Sequence, residues 1–398
     1  MDILQSGSAS PRKVVGWAPF ALGFRPFFLL AALAGVLLIG LWVLIWRGEL
    51  APPAHYDPVA WHAHEMLFGY AAAVIAGFLL TAVRNWTGVD TWTGLRLALL
   101  SLVWLSGRLF PWVTGLPSAV VVVIDVAFLP LLAISLFGPL WSGQNRINRV
   151  FIPLVLGMAL ANLLSHLQLA GVDNPFGDAR RVMLDLVLLL IVLVAGRVLP
   201  FFTRNVLPGF QPMSRPWVEK GSILLIGLIG LADLFPLLPM VLVSILWLVF
   251  AALQLLRLSG WFEVRVVRMP VLWVLHAGYA WLSLGALLYG LSLLGLFTSS
   301  GALHALTLGA VGVFTLGMMA RVSRGHTGRP IKVSSLTVVS FLLLNLAALI
   351  RVFGPALWPD RYALWMDIPA GLWVLGFSLF AYHYVPMLLR PRVDGRPG

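Results

Sequence analysis

Histidine carries most of the chemistry open to this chain, which holds eight histidines and no cysteine. Without thiols there are no disulfides, thiolate metal sites, iron–sulfur clusters or CxxCH haem attachments. The segment Trp61-His62-Ala63-His64-Glu65-Met66 sets two imidazoles beside a carboxyl group. On a helix His62 and His64 point about 200° apart and serve different partners, whereas His62 and Glu65 share a face. A glutamate placed there can ligate metal, orient a ligand imidazole or carry protons, and we read Glu65 as a proton relay. The HxHE spacing is not the HExxH of a metalloprotease.

Those residues need elements to hold them. Sixty per cent of the 398 residues are apolar and 11% are charged, too few polar groups to cover a water-soluble surface. The apolar runs are continuous, which fits membrane-spanning helices and not a barrel. The expected fold is all-α, a polytopic bundle of about twelve spans near 27–46, 65–83, 97–113, 118–138, 150–170, 181–202, 220–236, 239–256, 270–294, 303–320, 335–354 and 364–387. The split of 220–256 rests on Pro236 and Pro239. Residues 1–16 are polar and the first apolar run is long enough to span, so no cleavable signal is expected.

The net charge of +12 is unevenly spread. Only Arg47, Arg108, Arg180, Arg181, Arg351 and Arg361 fall on the far side of the bilayer; the other 21 of the 27 Lys and Arg, Arg12 and Lys13 among them, share the side of the N-terminus. That bias predicts an inner membrane with both termini cytoplasmic. The basicity then reflects topology and anionic headgroups, and no nucleic-acid partner is expected.

Within this frame His62, His64 and His304 lie at periplasmic helix mouths and are expected to converge as haem or metal ligands, with His166 near the same side. His276 and His383 sit in cytoplasmic halves and could form a second site. His55 and His326, in loops, read first as polar anchors. Arg84, Arg204 and Arg324, with Arg108, Arg197, Arg321 and Arg351, could clamp haem propionates or another anion, or snorkel to headgroups. Asp125, Asp185, Asp233 and Asp367 are intramembrane carboxyls for proton uptake or for pairing with arginine. Asn162 and Asn345 read as interhelical hydrogen-bonding groups.

A shift of 240 residues carries His64, Gly69, Gly77, Arg84, Thr87 and Gly88 onto His304, Gly309, Gly317, Arg324, Thr327 and Gly328. Half that shift carries Arg84-Asn85 onto Arg204-Asn205 and Glu65 onto Asp185. Together these suggest one transmembrane domain of three four-helix units, 20–140, 141–260 and 261–388, in a pseudo-threefold bundle. The helices beginning at Glu65, Asp185 and Ala305 would be the second of each. The stripe of Gly69, Ala73, Ala76 and Gly77 is read as close packing.

The segments GFRPFFLLAAL (23–33), WHAHEMLFGYAAAVIAGFLLTAVRNWTG (61–88), GRVLPFFTRN (196–205) and HALTLGAVGVFTLGMMARVSRGHTGRP (304–330) resemble the NnrS family along nearly the whole chain. The resemblance implies a bacterial inner-membrane protein of denitrification and nitric oxide resistance that contains haem and copper. It carries over His62, His64, His304 and His326 as motif histidines. By position, we expect His64, His304, His276, His383, Arg84 and Arg324 to hold haem, of the non-covalent b type, and His62, His166 and His326 to hold copper. The expected function is binding and removal of nitric oxide, as an oxidoreductase like nitric oxide reductase. Its partners would be nitric oxide, membrane lipid and an electron donor, a quinol or a periplasmic carrier. A transporter of metal, haem or a small anion is the main alternative, and a sensor or assembly factor without turnover the third.

Overall fold

The computed structural model describes residues 16–144 and 146–396; Arg12 and Lys13 lie outside them. Among the described residues there are twelve helical rods and no strand. They are α1 (Phe24–Trp46), α2 (Pro58–Thr87), α3 (Gly94–Leu109), α4 (Ser118–Ser142), α5 (Phe151–Leu169), α6 (Ala179–Val206), α7 (Pro216–Leu234), α8 (Met240–Trp261), α9 (Pro270–Leu293), α10 (Ser299–His326), α11 (Ser335–Leu357) and α12 (Tyr362–Leu389). Ten are long and apolar enough to cross a membrane; α3 and α7 fall short by length or composition. Each rod overlaps one expected span. The largest displacement is in α2, which starts at Pro58 and not near residue 65, so both histidines of the motif are helical.

Consecutive helices pack on one another, and α12 returns to pack on α1, closing a ring. Inside it α2, α6 and α10 touch each other. The apolar stretch of α2 is 89% buried in the protein and that of α8 33%, so α2 is interior and α8 peripheral. The three central helices are those that the 120-residue spacing makes the second of each unit. All three begin on a side-chain cap: Asp57 accepts from the Ala60 N–H, Asp178 from Arg180 and Thr298 from Gly301. Such caps satisfy backbone donors that a helix start leaves open.

Two further features recur at the 240-residue spacing. Directly after His64 and His304, the α2 and α10 backbones pass through π-helical turns, Glu65–Ala71 and Ala305–Gly312. Such turns are rare and favour functional sites. At the other end, Gly88 and Gly328 follow the helices with φ of 71° and 74°, a left-handed conformation that glycine adopts without a Cβ clash. Gly77 seats the Phe28 ring, which a Cβ there would meet at 2.8 Å. We call the two faces of the bundle the histidine end and the arginine end.

Candidate functional site

The start of α2 sends its two histidines to opposite sides. His64 is fully buried and turns toward α4 and α5. His62 is partly accessible and lines a central cavity with His304 of α10. The expected convergence therefore divides: His62 and His304 share a chamber, and His64 belongs to a separate cluster.

That cluster is built from four helices and one loop. Asp125 of α4 stands at its centre, 3% exposed. Its Oδ2 accepts from His166 Nε2 at 2.9 Å and Asn162 Nδ2 at 2.9 Å, and lies 3.2 Å from His64 Nε2. Its Oδ1 pairs with the Arg108 guanidinium of α3. Arg108 Nε is also 2.7 Å from Glu65 Oε2, so one buried arginine bridges two buried carboxylates. His64 Nδ1 lies 3.4 Å from the Tyr56 hydroxyl and 3.5 Å from Glu65 Oε1. His55 Nε2 meets His166 Nδ1 at 2.9 Å. In the loop before α2, burial and then the neighbouring His166 and His64 hold the His55 imidazole below its ordinary range. Burial, and then the Asp125 and Glu65 charges, hold the Tyr56 phenol well above its own. Gly107 makes room for the centre: a Cβ there would come within 2.7 Å of Asp125 Oδ1.

His64, Asp125 and His166 can each offer one ligand atom, all within 4.8 Å of one another. Ligands at about 2.0–2.2 Å from a shared ion leave similar gaps. A cation would take the place of the hydrogen-bonding protons between the two Nε2 atoms and Oδ2.

The cavity is different in kind. It encloses about 480 Å³ between α1, α2, α6, α10, α11 and α12. Trp42 stacks on the His62 ring at 4.4 Å between centroids. Tyr70 and Trp373 also line it, 5.7 Å apart edge to face. Below them the Tyr70 hydroxyl joins Thr315 Oγ1 at 2.7 Å, tying α2 to α10. His304 Nδ1 donates to the Ser300 carbonyl at 2.7 Å, which fixes the tautomer with Nε2 unprotonated. A backbone acceptor on the second nitrogen is the usual partner of a ligating imidazole. Arg180, Arg181 and Arg351 also line the cavity. Arg351 is 5% exposed, bonds Ser300 Oγ with Nη2 at 3.0 Å, and leaves Nη1 buried with no hydrogen-bond acceptor.

The remaining expected site residues are scattered. Glu65 belongs to the His64 cluster and does not line the cavity. His276 has both ring nitrogens on backbone carbonyls, Leu272 at 3.0 Å and Trp261 at 3.4 Å. His383 leaves Nε2 unpartnered and faces Arg324 and Arg329. The expected second site of His276 and His383 is not assembled: each ring has its own surroundings. Arg84 pairs with Asp90 at 2.5 Å, and Arg324 donates to the Pro330 carbonyl at 2.7 Å. His326 touches Asn85 at 3.4 Å and the Phe24 ring. It follows His304 by 22 residues on one helix, about 33 Å at 1.5 Å per residue. Arg84, Arg324 and His326 thus belong to the arginine end and do not share a cofactor with His304.

Sequence reasoning placed Asp125, Asn162 and Arg108 only in general classes and took His55 for an anchor. The usable signal was Asp125 itself, a lone charge in SAVVVVIDVAFL, since intramembrane carboxyls mark function by default. Arg351, within AALIRVF, carries the same signal.

A family model described as NnrS protein matches residues 18–392. No curated protein matches the chain.

Proposed function

The chain belongs to the NnrS family, and from that membership and the geometry of the histidine end we propose that it binds haem in the central cavity and copper in the His64 cluster, and removes nitric oxide. Family membership supports a multi-pass membrane protein related to the nitric oxide response; the cofactors, the chemistry and a bacterial inner-membrane location with cytoplasmic termini are our reading. The observation that carries it is His304. Its Nε2 is free, its tautomer is set by Ser300, and it faces a chamber shared with a second imidazole, His62.

The residues present fit both groups. Haem in a helical bundle is held by imidazole within apolar and aromatic walls, and the cavity offers His304, His62, Trp42, Tyr70 and Trp373. Arg351, with its unpartnered Nη1, and Arg180 and Arg181 would meet the propionates. Two imidazoles and a carboxylate suit a copper or similar divalent ion, and His64, His166 and Asp125 supply them. This exchanges the roles expected of His62 and His64. A ferrous haem held there by His304 or His62 would supply the nitric oxide binding. The protein holds His304 in one tautomer, screens the cavity from the arginine end with Tyr70 and Trp373, and sets Glu65 and Asp125 against Arg108. His55 and His166 connect Asp125 to the loop before α2, a hydrogen-bonded route by which protons could arrive.

The test is an optical spectrum of the detergent-purified protein, oxidised, reduced with dithionite, and reduced with nitric oxide added. The expected result is a Soret band that shifts on adding nitric oxide. Absence of the band after expression with ample haem would reject the reading and favour the transporter alternative.

A further inference from the structure

Helix α6 walls two chambers. Arg180, Arg181 and Leu184 face the central cavity, whereas Val182, Asp185, Leu186 and Leu189 line a second space on its other side. This is a groove of about 850 Å³ bounded by α5 and α7, both of which pack on α6. Leucines dominate its walls, among them Leu160, Leu224 and Leu231, which are exposed on the outside of the bundle. The groove therefore opens to lipid.

Among the described residues, its one ionisable lining residue is Asp185. That side chain is 2% exposed, and neither carboxyl oxygen meets a hydrogen-bond donor among the described residues. Beside it lies the Asp233 carboxyl of α7, whose Oδ2 is equally without a donor. A hydrogen bond between two carboxyl groups needs a proton on one of them. Even then acceptor oxygens remain open in a medium that offers no water. Access is provided by Gly230: a Cβ there would stand 3.5 Å from Asp185 Cβ and 4.0 Å from Oδ2, and its absence leaves the carboxyl reachable from the groove.

An apolar trough with one polar acceptor at its floor selects a ligand with an apolar body and a hydroxyl donor at its head. A hydrated cation does not enter through a lipid-facing wall of leucines. A fatty-acid carboxylate would bring a third acceptor to two carboxyl groups. We propose that this groove binds a membrane-dissolved hydroquinone, whose ring hydroxyl donates to Asp185 while its tail lies along the leucines of α5 and α7. The bound ring is separated from the central cavity by the single helix α6, about 10–12 Å across. Binding stands on the groove alone; a role as reductant rests on the haem reading above.

The experiment is photolabelling of the full chain in phosphatidylcholine nanodiscs with an azido-substituted decylubiquinol, with labelled peptides mapped by mass spectrometry. Labels are expected on α5, α6 and α7 and are displaced by decylubiquinol. Asp185→Leu removes the acceptor and is expected to weaken labelling about tenfold, the value of one hydrogen bond. Gly230→Leu fills the window while keeping both carboxyl residues and is expected to weaken it as much, which guards against misfolding of the first variant. Labels on other helices, labelling indifferent to both substitutions, or displacement by oleate as effective as by decylubiquinol would overturn the proposal. Labelling of these helices in protein that shows no Soret band would uphold the groove and reject the haem reading. A Soret band with labels elsewhere would do the reverse.

Discussion

His62 and His64 stand two residues apart on α2, and their surroundings are opposite in kind. Around His64 the polar groups meet one another: Asp125, Asn162, His166, Arg108 and Tyr56 form a network of hydrogen bonds and ion pairs, and the Glu65 carboxylate is held by charge contact with Arg108 and His64. Around His62 there are an open volume, an aromatic face and a cation with an unused donor. A network closed by protein atoms has room at most for an ion in place of protons. A chamber lined by imidazoles and an arginine has room for something larger. On the proposed reading the pair separates a small-ion site from a large-ligand site on one turn of helix.

The comparison can be broken first at its closed half. Arg108→Met leaves Glu65 and Asp125 buried without their shared cation, and losing one partner of a buried pair costs about 3–5 kcal/mol. Loss of monodisperse protein in detergent, or a much lower melting temperature, is expected; unchanged stability would mean that water reaches the cluster. His166→Ala is next in size. It removes a proposed ligand of the small site, and copper content by elemental analysis is expected to fall at least about tenfold, with any Soret band unchanged. Metal content equal to wild type would leave the cluster as an ion-pair network and nothing more. At the open half, Trp42→Ala removes the stack on His62. Ring stacking contributes about 0.5–1.5 kcal/mol, so haem affinity is expected to fall severalfold while copper content holds.

The smallest effect lies at the arginine end, where solvent screens the charges. The Arg392 guanidinium, bonded to Asp394, holds that carboxyl down at about 2 from 3.8. A depressed carboxyl stabilises above its unfolded pKa and loses that contribution as pH falls through the folded one. The contribution is therefore present at pH 7 and is lost as pH falls through the window between about 3.8 and about 2. Arg392→Gln is expected to return the Asp394 titration toward 3.8 by NMR and to lower the melting temperature at pH 7 only slightly, because Asp394 faces solvent. A large fall at pH 7 would show that this pair does more than a surface ion pair.

The bundle was legible because lipid imposes one rule on spans, a run of about 20 apolar residues, and ten of the twelve rods among the described residues carry it. The opposed directions of His62 and His64 were legible from helical spacing. Their neighbours were not. Arg108, Asp125, Asn162 and His166 come from three different helices, and no spacing in sequence encodes which faces of α3, α4 and α5 meet. The true start of α2 was hidden because Asp57-Pro58 caps it in a polar stretch that reads as loop. The π-helical turn after His64 left no signal of its own in EMLFGYA. Arg84, Arg324 and His326 looked like site residues because they recur in the motif strings, yet helix length alone sets them at the opposite face.

The most direct test of the division between two sites is the Soret band in two single variants expressed side by side, His304→Ala and His64→Ala. The account predicts that the band is lost in His304→Ala and kept in His64→Ala. A band kept in His304→Ala and lost in His64→Ala would contradict it.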